Sequence, residues 1–262
     1  MSKLFLMAGT KGGIGKTLAA TLLADAASDA GYRSVLFDCD EENESLFNAM
    51  SGRSVEQILE RYNLEENTAG NSFPLDMVMD RIFQIENDKE HYPGENVFGI
   101  DMKAGSSYTT LEWMKLFPFE LLHEFSVDVY IVGVTTSDLD SLMTFLPWLL
   151  EFESQYKAGL VKFLVIRNQV DGNDEVQYRE ILASYMEKKM PDALMLSLNN
   201  LNRMYMAAIR RARTSYGRVG REPVAIPNMG LMSIFRCQSE FSAIKKALAP
   251  LFPAVEANGG LE

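Results

Sequence analysis

The stretch GTKGGIGKT at positions 9–17 constrains the fold more than any other feature of this sequence. It follows a short apolar run at 3–8 that predicts a buried strand, and it precedes an alanine- and leucine-rich stretch at 17–30 that predicts a helix. The spacing G-x-x-x-x-G-K-T between a strand and a helix is the phosphate-binding loop pattern. The sequence therefore predicts an α/β fold with an anion-binding loop close to its first strand.

Short apolar runs alternate with longer amphipathic stretches along the rest of the chain. The runs are apolar at nearly every position, which is typical of strands covered on both faces. Strands that alternate with helices indicate parallel pairing, so we predict a three-layer α/β sandwich with a mostly parallel central sheet. The predicted strands are 3–8, 34–38, 96–101, 127–135, 161–168 and 193–196, and the predicted helices are 17–30, 109–124, 138–155, 174–188, 200–213 and 233–249.

The length of 262 residues suits one large domain. We predict a single domain over 1–258, with a variable excursion at about 51–95, where the sequence is polar and carries only short helical fragments. Residues 259–262 are predicted to be a tail outside it. The two cysteines, Cys39 and Cys237, form neither a disulfide framework nor a zinc pattern, which favours a reducing cytoplasm. We expect no signal peptide and no membrane span, because no apolar run is long enough.

The loop residues indicate phosphate chemistry. Glycines let several backbone N–H groups converge on phosphate oxygens, and the helix that follows adds a favourable dipole. Lys16 is expected to bond the β- and γ-phosphates, and the Thr17 hydroxyl is expected to ligate Mg²⁺. The residues predicted to bind the nucleotide in this loop are Gly12, Gly13, Ile14, Gly15, Lys16, Thr17 and Leu18.

A second lysine, Lys11, is not required by an ordinary phosphate loop. The version K-G-G-x-G-K-T at 11–17 is the deviant Walker A motif, and here the sequence closely resembles the ParA/MinD family of ATPases. The resemblance implies a P-loop NTPase fold of the deviant Walker A type and a homodimer that forms face to face on ATP. It also implies that Lys11 is a catalytic residue that crosses the interface to the phosphates of the other subunit.

Two strand ends carry acidic residues that match the same family. The second predicted strand ends in Asp38-Cys39-Asp40, and the third ends at Asp101. By resemblance, Asp38 and Asp40 are catalytic residues near the γ-phosphate and the attacking water. The resemblance also assigns Asp38 and Asp101 to Mg²⁺, Asp101 through water, together with the threonine of the loop. Carboxylates suit both tasks, as hard oxygen ligands and as groups that position water.

Two segments depart from the family pattern. Glu41 and Glu42 stand where the family often has Pro-Gln, and Lys103 stands where it often has a proline. These departures lie in the two segments that follow Asp40 and Asp101, which correspond to the nucleotide-sensing switch segments of the family, and they do not affect the metal ligands. They keep open an alternative in which the protein is a nucleotide-gated interaction module that binds ATP and hydrolyses almost none.

The end of the fifth predicted strand, RNQVD, resembles the base-reading position of the family. Asn168 offers both a donor and an acceptor, which suits an adenine edge. The stretch also resembles the N-K-x-D pattern of GTPases, although the Lys11 motif favours adenine. In VAIPNMG at 224–230, Pro227 and Asn228 resemble the place where the family returns backbone to the base.

Six arginines and no acidic residue occur between 203 and 221, although the whole chain has a net charge of −11. This local excess predicts sequence-independent, salt-sensitive contact with the DNA backbone. ParA-type proteins bind nonspecific DNA through basic residues in their C-terminal half, so the resemblance agrees. The alternative is a solvated helix face paired with carboxylates of the same chain. The predicted DNA-binding residues are Arg203, Arg210, Arg211, Arg213, Arg218 and Arg221.

Together these features predict a bacterial cytoplasmic ATPase that dimerises on ATP and Mg²⁺, hydrolyses ATP slowly, and positions or segregates DNA. A partner protein is expected to stimulate it, and DNA binding would associate it with the nucleoid. FDCDEENESL and IDMKAGSS resemble ParA-like proteins of plasmid partition, stability or transfer, of the VirC, TraL and StbB kinds. One rival is a MinD-like positioning ATPase on membranes. We do not expect it, because Pro250 and Pro253 interrupt the mildly amphipathic stretch FSAIKKALAPLFPAV at 241–255, whose polar face is thin. A metabolic ligase of related fold is a further alternative.

Overall fold

The computed structural model of the protein consists of a parallel sheet with helices on both faces. It describes residues 1–9, 11–40, 45–50, 57–61, 74–103, 105, 107–136, 138–168, 179–198, 203–219, 226 and 229–253.

The strands are β1 (Ser2–Ala8), β2 (Arg33–Cys39), β3 (Gln57–Arg61), β4 (Asn96–Met102), β5 (Val127–Thr135), β6 (Lys162–Asn168) and β7 (Leu194–Leu198). Within the described chain these seven strands form one sheet in the order β3-β2-β4-β1-β5-β6-β7, and every neighbouring pair is parallel. The predicted parallel α/β fold is therefore confirmed, and its six predicted strands lie within two residues of their predicted bounds.

The helices are α1 (Lys16–Asp29), α2 (Ser45–Met50), α3 (Pro74–Asn87), α4 (Ser107–Lys115), α5 (Phe119–Glu124), α6 (Leu139–Glu151), α7 (Glu153–Lys157), α8 (Ser184–Lys189), α9 (Arg203–Arg211) and α10 (Leu231–Leu248), and a π-helical turn at Arg179–Ala183 precedes α8. In the described part of the chain, none of them combines the length and the apolar character that crossing a bilayer requires.

The sheet buries apolar side chains on both faces because consecutive residues of a strand point to opposite sides. In β1, Phe5 and Met7 belong to the core that also contains apolar residues of α1 and α10. Leu4 and Leu6 belong to the other core, with residues of α3 and α6. All residues of β1 and β4 are buried, which explains why their sequences are apolar at nearly every position.

The described parts of the region 51–95, which are residues 57–61 and 74–95, are more regular than the sequence predicts. The prediction of only short helical fragments there is wrong, because β3 adds an edge strand beside β2 and α3 is a helix of 14 residues. An edge strand has a single neighbour, and α3 buries apolar residues such as Val78 and Ile82 on one side only. Both elements therefore tolerate many polar residues, and their sequences lack the apolar pattern by which a strand or a helix is recognised. The division into one domain over 1–258 stays a prediction.

Two predicted helices are each divided in the structure. The predicted helix 109–124 becomes α4 and α5, because Pro118 lacks a backbone N–H and occupies the N-cap of the second helix. The predicted helix 138–155 becomes α6 and α7, which meet at the fully buried Phe152. The predicted helices 174–188 and 200–213 begin among residues outside the described ranges.

The strand order places the carboxyl ends of the central strands beside one another. β1 lies between β4 and β5, so the sheet changes its direction of growth at the strand that precedes the glycine-rich loop. In open α/β sheets, ligands bind outside the carboxyl ends of the strands at such a point. The ends of β1, β2, β4 and β6 carry the loop and the acidic and amide residues selected from the sequence.

Candidate functional site

Residues 9–15 connect β1 to α1 as a glycine-rich turn. Gly15 has a φ of +106°, and a Cβ at this position would lie 2.6 Å from the Asn168 amide nitrogen, so the position requires glycine. Gly15 is also the N-cap of α1 and has no side chain with which to cap the helix. An anion is therefore the natural partner for the first backbone N–H groups of α1.

Lys16 is the first residue of α1, and it is only 7% exposed. Its Nζ donates a hydrogen bond to the Lys11 carbonyl oxygen at 3.1 Å. Burial lowers the pKa of Lys16, while the carboxylates of Asp101 and Asp40 act in the opposite direction. A buried ammonium gains most from additional negative charge, so this position favours an anionic ligand.

The two predicted metal ligands Thr17 and Asp101 are in contact. The Thr17 hydroxyl donates to the Asp101 carboxylate at 2.6 Å. Burial, with smaller contributions from the charges of Asp38 and Asp40, raises the pKa of Asp101 to about 7, against the lowering effects of Thr17 and Lys16. A carboxylate in this state is stabilised by a nearby cation, and hydroxyl and carboxylate oxygens are the donors that Mg²⁺ prefers.

The protein alone does not enclose a metal ion at this point. Among the residues that the structure describes, no group of three or more His, Cys, Asp or Glu side chains is arranged to hold one. Mg²⁺ usually keeps several waters and binds through one or two protein oxygens plus substrate phosphates. The pair Thr17 and Asp101 fits that mode, because it supplies two adjacent oxygens beside the phosphate loop.

Asp38 and Asp40 differ in their surroundings although they are two residues apart. The Asp38 carboxylate accepts backbone N–H groups from Phe47 at 2.7 Å and from Asp40 at 3.1 Å. Burial raises the pKa of Asp38, and these two bonds lower it. Asp38 thereby ties α2 to the end of β2 and lies beside Asp101 of β4 in the sheet. Asp40 is the carboxylate of this pair that lines the cleft described below.

Lys11 is held by the start of α6. Its Nζ donates to the Asp138 carboxylate, and a second carboxylate, that of Asp140, lies 3.8 Å away. Asp138 also caps α6 by accepting the Asp140 N–H at 3.0 Å. The hydrogen bond between the side chains raises the pKa of Lys11 and lowers that of Asp138. Any role of Lys11 at a phosphate therefore requires exchange of this partner.

Asn168 supports the loop from the end of β6. Its side-chain nitrogen donates to the Ile14 carbonyl oxygen at 2.9 Å, and the residue is 7% exposed. The amide nitrogen is thus already bonded to protein, and adenine reading by Asn168 stays a prediction. Pro227 and Asn228 lie outside the described residues.

A cleft of about 420 Å³ connects these groups. All the loop residues 11–18 line it, together with Asp40 and Asp101. The sequence analysis missed three further lining residues, Asn48, Ala49 and Met102, and it missed the role of Asp138. Asp138 had a local signal, because an Asp just before a predicted helix is typical of an N-cap. The other three have no local signal and are brought to the cleft by the sheet.

The exposed arginines of the predicted DNA patch do not share one environment. Arg210, Arg211 and Arg213 are all exposed, but Arg210 lines the cleft beside the phosphate loop. α9 ends at Arg211, and Arg213 has a left-handed φ of +51°. The chain therefore leaves the direction of the helix directly after Arg211.

The remaining predicted DNA contacts have less support. Arg218 is 8% exposed and lies in a buried stretch with Tyr216 and Val219, so the structure does not support it as a surface contact. The reason is that the segment after α9 packs inward against α1, where the Gly217 N–H donates to Asp25 at 3.0 Å. The backbone of Arg203 begins α9. The Arg203 side chain and Arg221 lie outside what the structure describes.

Comparison with known protein families supports the interpretation of the cleft as a nucleotide-binding site. A family model described as the CobQ/CobB/MinD/ParA nucleotide binding domain matches residues 5–204. That span includes the phosphate loop, Asp38, Asp40, Asp101 and Asn168. A search among curated proteins gives no significant match.

Solved structures resemble the protein over nearly its whole length. A ParA family ATPase from Chlorobium tepidum is 15% identical, with a TM-score of 0.57 over 94% of this chain and 98% of the other. A Cyanothece McdA variant in complex with ATP is 14% identical, with a TM-score of 0.53 over 95% and 96%. A chain of the MinC:MinD cell division protein complex from Aquifex aeolicus is 12% identical, with a TM-score of 0.53 over 100% of both chains. At these identities the likeness establishes the fold.

Proposed function

Because the chain belongs to the CobQ/CobB/MinD/ParA nucleotide-binding domain family, we propose that it is an ATPase that uses Mg²⁺-ATP to control its association with itself and with DNA. The observation that carries the proposal is the single cleft lined by Lys11, Lys16, Thr17, Asp40 and Asp101. This set supplies cations for phosphates, oxygens for a metal and a carboxylate for water, which are the groups that phosphoryl transfer requires.

The loop holds the triphosphate in this proposal. Lys16 bonds the β- and γ-phosphates, while backbone N–H groups of residues 12–18 surround the phosphate chain. Thr17 and Asp101, whose side chains are in contact beside the loop, would hold Mg²⁺, the threonine through its hydroxyl and Asp101 through water. When bound, Mg²⁺ neutralises charge on the phosphate oxygens. The buried Asp101 then keeps its carboxylate charged.

Asp40 positions the attacking water in this proposal, and Asp38 positions Asp40. The assignment follows the difference in their contacts, since Asp40 lines the cleft while both Asp38 oxygens accept backbone N–H groups. Hydrolysis needs little covalent chemistry from the protein, so catalysis depends on placement of the water together with stabilisation of charge on the phosphates.

Single-turnover hydrolysis of ATP tests these roles. Lys16→Ala is expected to lose ATP binding, whereas Asp40→Asn is expected to bind ATP normally and to hydrolyse it about 100-fold more slowly. Full turnover by Lys16→Ala would refute the ATPase proposal. An Asp40→Asn rate equal to that of the wild type would refute only the assignment of Asp40. Tight ATP binding without turnover in the wild type, with its partner protein present, would favour the gated interaction module.

ATP is proposed to join two copies of the chain, with Lys11 of each copy at the phosphates of the other. The side chain of Lys11 is 31% exposed, so it is accessible to a second copy once it leaves Asp138. Light scattering of Asp40→Asn with Mg²⁺-ATP is expected to give a dimer. Adding Lys11→Ala to this variant should give a monomer that still binds ATP. A dimer in this double variant would show that Lys11 is not needed at the interface.

The proposed DNA contact is the exposed pair Arg211 and Arg213 at the end of α9. The segment 203–221 contains no acidic residue, so the positive charge of these side chains favours contact with a phosphate backbone. The cargo that we propose is a plasmid or a transfer complex in the bacterial cytoplasm, with a partner protein that stimulates hydrolysis. We expect the protein to bind nonspecific duplex DNA in the presence of ATP and Mg²⁺, and to bind it much more weakly in the presence of ADP.

The matched comparison for DNA is between two double variants. Arg211→Ala/Arg213→Ala should weaken binding and lower the slope of log affinity against log salt by about 1 to 2. Lys188→Ala/Lys246→Ala removes the same charge from exposed positions elsewhere and should retain binding. Wild type that fails to bind duplex at moderate salt would exclude the DNA proposal.

The membrane rival has less support from the end of the fold. Phe241, Ile244 and Leu248 of α10 are buried in the core, and so are Leu251 and Phe252 after it. These apolar side chains are therefore occupied by packing rather than presented to lipid. ATP-dependent co-sedimentation with liposomes would nevertheless favour the MinD-like alternative.

A further inference from the structure

Arg210 occupies a position that its sequence neighbours do not share. It lies in the last turn of α9, it is exposed, and it lines the same cleft as Lys11, Lys16 and Thr17. The phosphate loop is close to 200 residues away in sequence, so this proximity comes from the fold alone. An exposed guanidinium at the lip of a phosphate-binding cleft is suited to an anionic ligand.

Packing fixes the side of α9 that faces the cleft. Ile209 is 2% exposed and belongs to the core that contains α1, so α9 cannot turn about its axis to take Arg210 away from the cleft without exposing Ile209. α9 also packs against α2, which contributes Asn48 and Ala49 to the cleft. α2 in turn is tied to the nucleotide site by the Phe47 N–H, which donates to Asp38 at 2.7 Å. The position of Arg210 at the cleft is therefore fixed by the packing of α9 against the core and against α2.

The charges of the cleft point to the same conclusion. Lys11 is hydrogen-bonded to Asp138, and Lys16 has Asp101 and Asp40 as neighbouring charges. In the part of the chain that the structure describes, none of the ion pairs involves Arg210. A nucleoside triphosphate is strongly anionic, and an arginine without a competing carboxylate pairs with it at the lowest cost.

We infer that Arg210 binds the phosphate chain of the nucleotide and is a nucleotide contact rather than a DNA contact. The inference rests on the proposed ATP binding and adds to it a third cation, contributed by α9. The planar guanidinium can bond two phosphate oxygens in a fixed bidentate geometry, which the ammonium group of a lysine does not provide. Binding of ATP would then place a phosphate contact at the end of α9, next to Arg211 and Arg213.

Calorimetric titration with Mg²⁺-ATP, Mg²⁺-ADP and adenosine tests this inference in the absence of DNA. Arg210→Ala is expected to weaken ATP binding about tenfold or more, because it removes a charge-assisted hydrogen bond. Arg210→Lys should lie between Arg210→Ala and the wild type. The matched control is Arg236→Ala, which removes an exposed arginine that bonds the Tyr205 hydroxyl of α9 at 3.4 Å but does not line the cleft. It should bind ATP as the wild type does.

Three outcomes separate the possibilities. Equal ATP affinity in Arg210→Ala and Arg236→Ala overturns the inference, and so does an equal loss for ATP and adenosine, which would indicate a base contact. If the wild type binds no ATP, or if Lys16→Ala binds as well as the wild type, the proposed function fails instead. Thermal unfolding of each variant identifies any loss that comes from folding, since removal of the exposed Arg210 side chain should leave the melting temperature nearly unchanged.

Discussion

One wall of the nucleotide cleft is formed by the phosphate loop, residues 11–18, with Asp101 behind it, and another by α2 and α9, which contribute Asn48, Ala49 and Arg210. In the first, the loop wall, Lys16 and Asp101 are buried. In the second, the helix wall, Asn48 and Arg210 are exposed. The loop wall continues β1 into α1 at the centre of the sheet, whereas the helix wall consists of two short helices at its surface.

This difference separates two tasks of a binding site. Groups of the loop wall are fixed by folding, so they stand ready for phosphates without reorganisation when the ligand arrives. The helices of the helix wall are also fixed by packing, but the side chains of Asn48 and Arg210 are exposed and can adjust to the ligand. Substitutions in the loop wall should therefore affect folding and binding together, and substitutions in the helix wall should affect binding with little change in stability.

The largest expected effect is that of Gly15→Ala in the loop wall. The backbone at Gly15 has a left-handed φ of +106°, and the added Cβ would lie 2.6 Å from the Asn168 side-chain nitrogen. Together these two effects should lower the free energy of unfolding by about 2–4 kcal/mol. Gly94→Ala is the matched control, because Gly94 has a φ of +84° with open space around its Cβ and should cost only about 1 kcal/mol. Denaturant unfolding of the two variants measures the difference, and equal losses would mean that the loop wall is no tighter than an open turn.

A smaller effect is expected for the bond that supports the loop from β6. Asn168→Ala removes the donor to the Ile14 carbonyl oxygen and should lower the free energy of unfolding by about 1–2 kcal/mol. Asn48→Ala, at an exposed position of the helix wall, should leave it unchanged. Thermal and denaturant unfolding of both variants provides the comparison. Similar destabilisation by both would contradict the distinction between the walls.

The smallest effect is expected where the loop wall meets α6. Asp138→Asn removes the hydrogen-bonded charge that holds Lys11, so Lys11 is released and the apparent ATP affinity should rise by less than about fivefold. Asp128→Asn, which breaks the exposed pair of Asp128 with Lys162 at 2.8 Å, should leave ATP affinity unchanged. A fall in ATP affinity on Asp138→Asn would mean that the pair orients Lys11 for the ligand rather than withholding it.

The same pair has a defined pH dependence. Lys11 lowers the pKa of Asp138, so the pair stabilises the fold above the ordinary carboxyl pKa and loses its effect as the pH falls through the lowered value. The melting temperatures of the wild type and Asp138→Asn should therefore converge toward acid pH. A difference that grows as the pH falls would have the wrong sign for this pair.

Much of the loop wall follows from local sequence. The glycine and lysine spacing, an apolar strand before it and a helix after it specify a phosphate loop without knowledge of the remaining chain, because each requirement spans a few residues. The acidic strand ends could be added because parallel strands present their carboxyl ends at one edge. The structure brings Lys16, Thr17, Asp40 and Asp101 into one cleft, as that argument requires.

The arginine segment could not be assigned in the same way. Neighbours in sequence remain neighbours on one surface only while the helix continues, and α9 ends at Arg211. Beyond it, the left-handed Arg213 turns the chain and Arg218 becomes buried. Likewise, β3 and α3 escaped detection because an edge strand and a surface helix tolerate polar residues that resemble a loop in the sequence.

The sequence by itself determined the fold class, the family resemblance and the phosphate loop, because strand and helix periodicity and a turn of glycines are properties of short segments. Only the tertiary structure decided which distant groups meet the loop: Asp138 at Lys11, Asn168 at Ile14, and Arg210 at the cleft. These contacts depend on the strand order β4-β1-β5-β6 and on the packing of α9 against the core. Such long-range arrangements are selected by the burial of the whole core, which no short segment encodes.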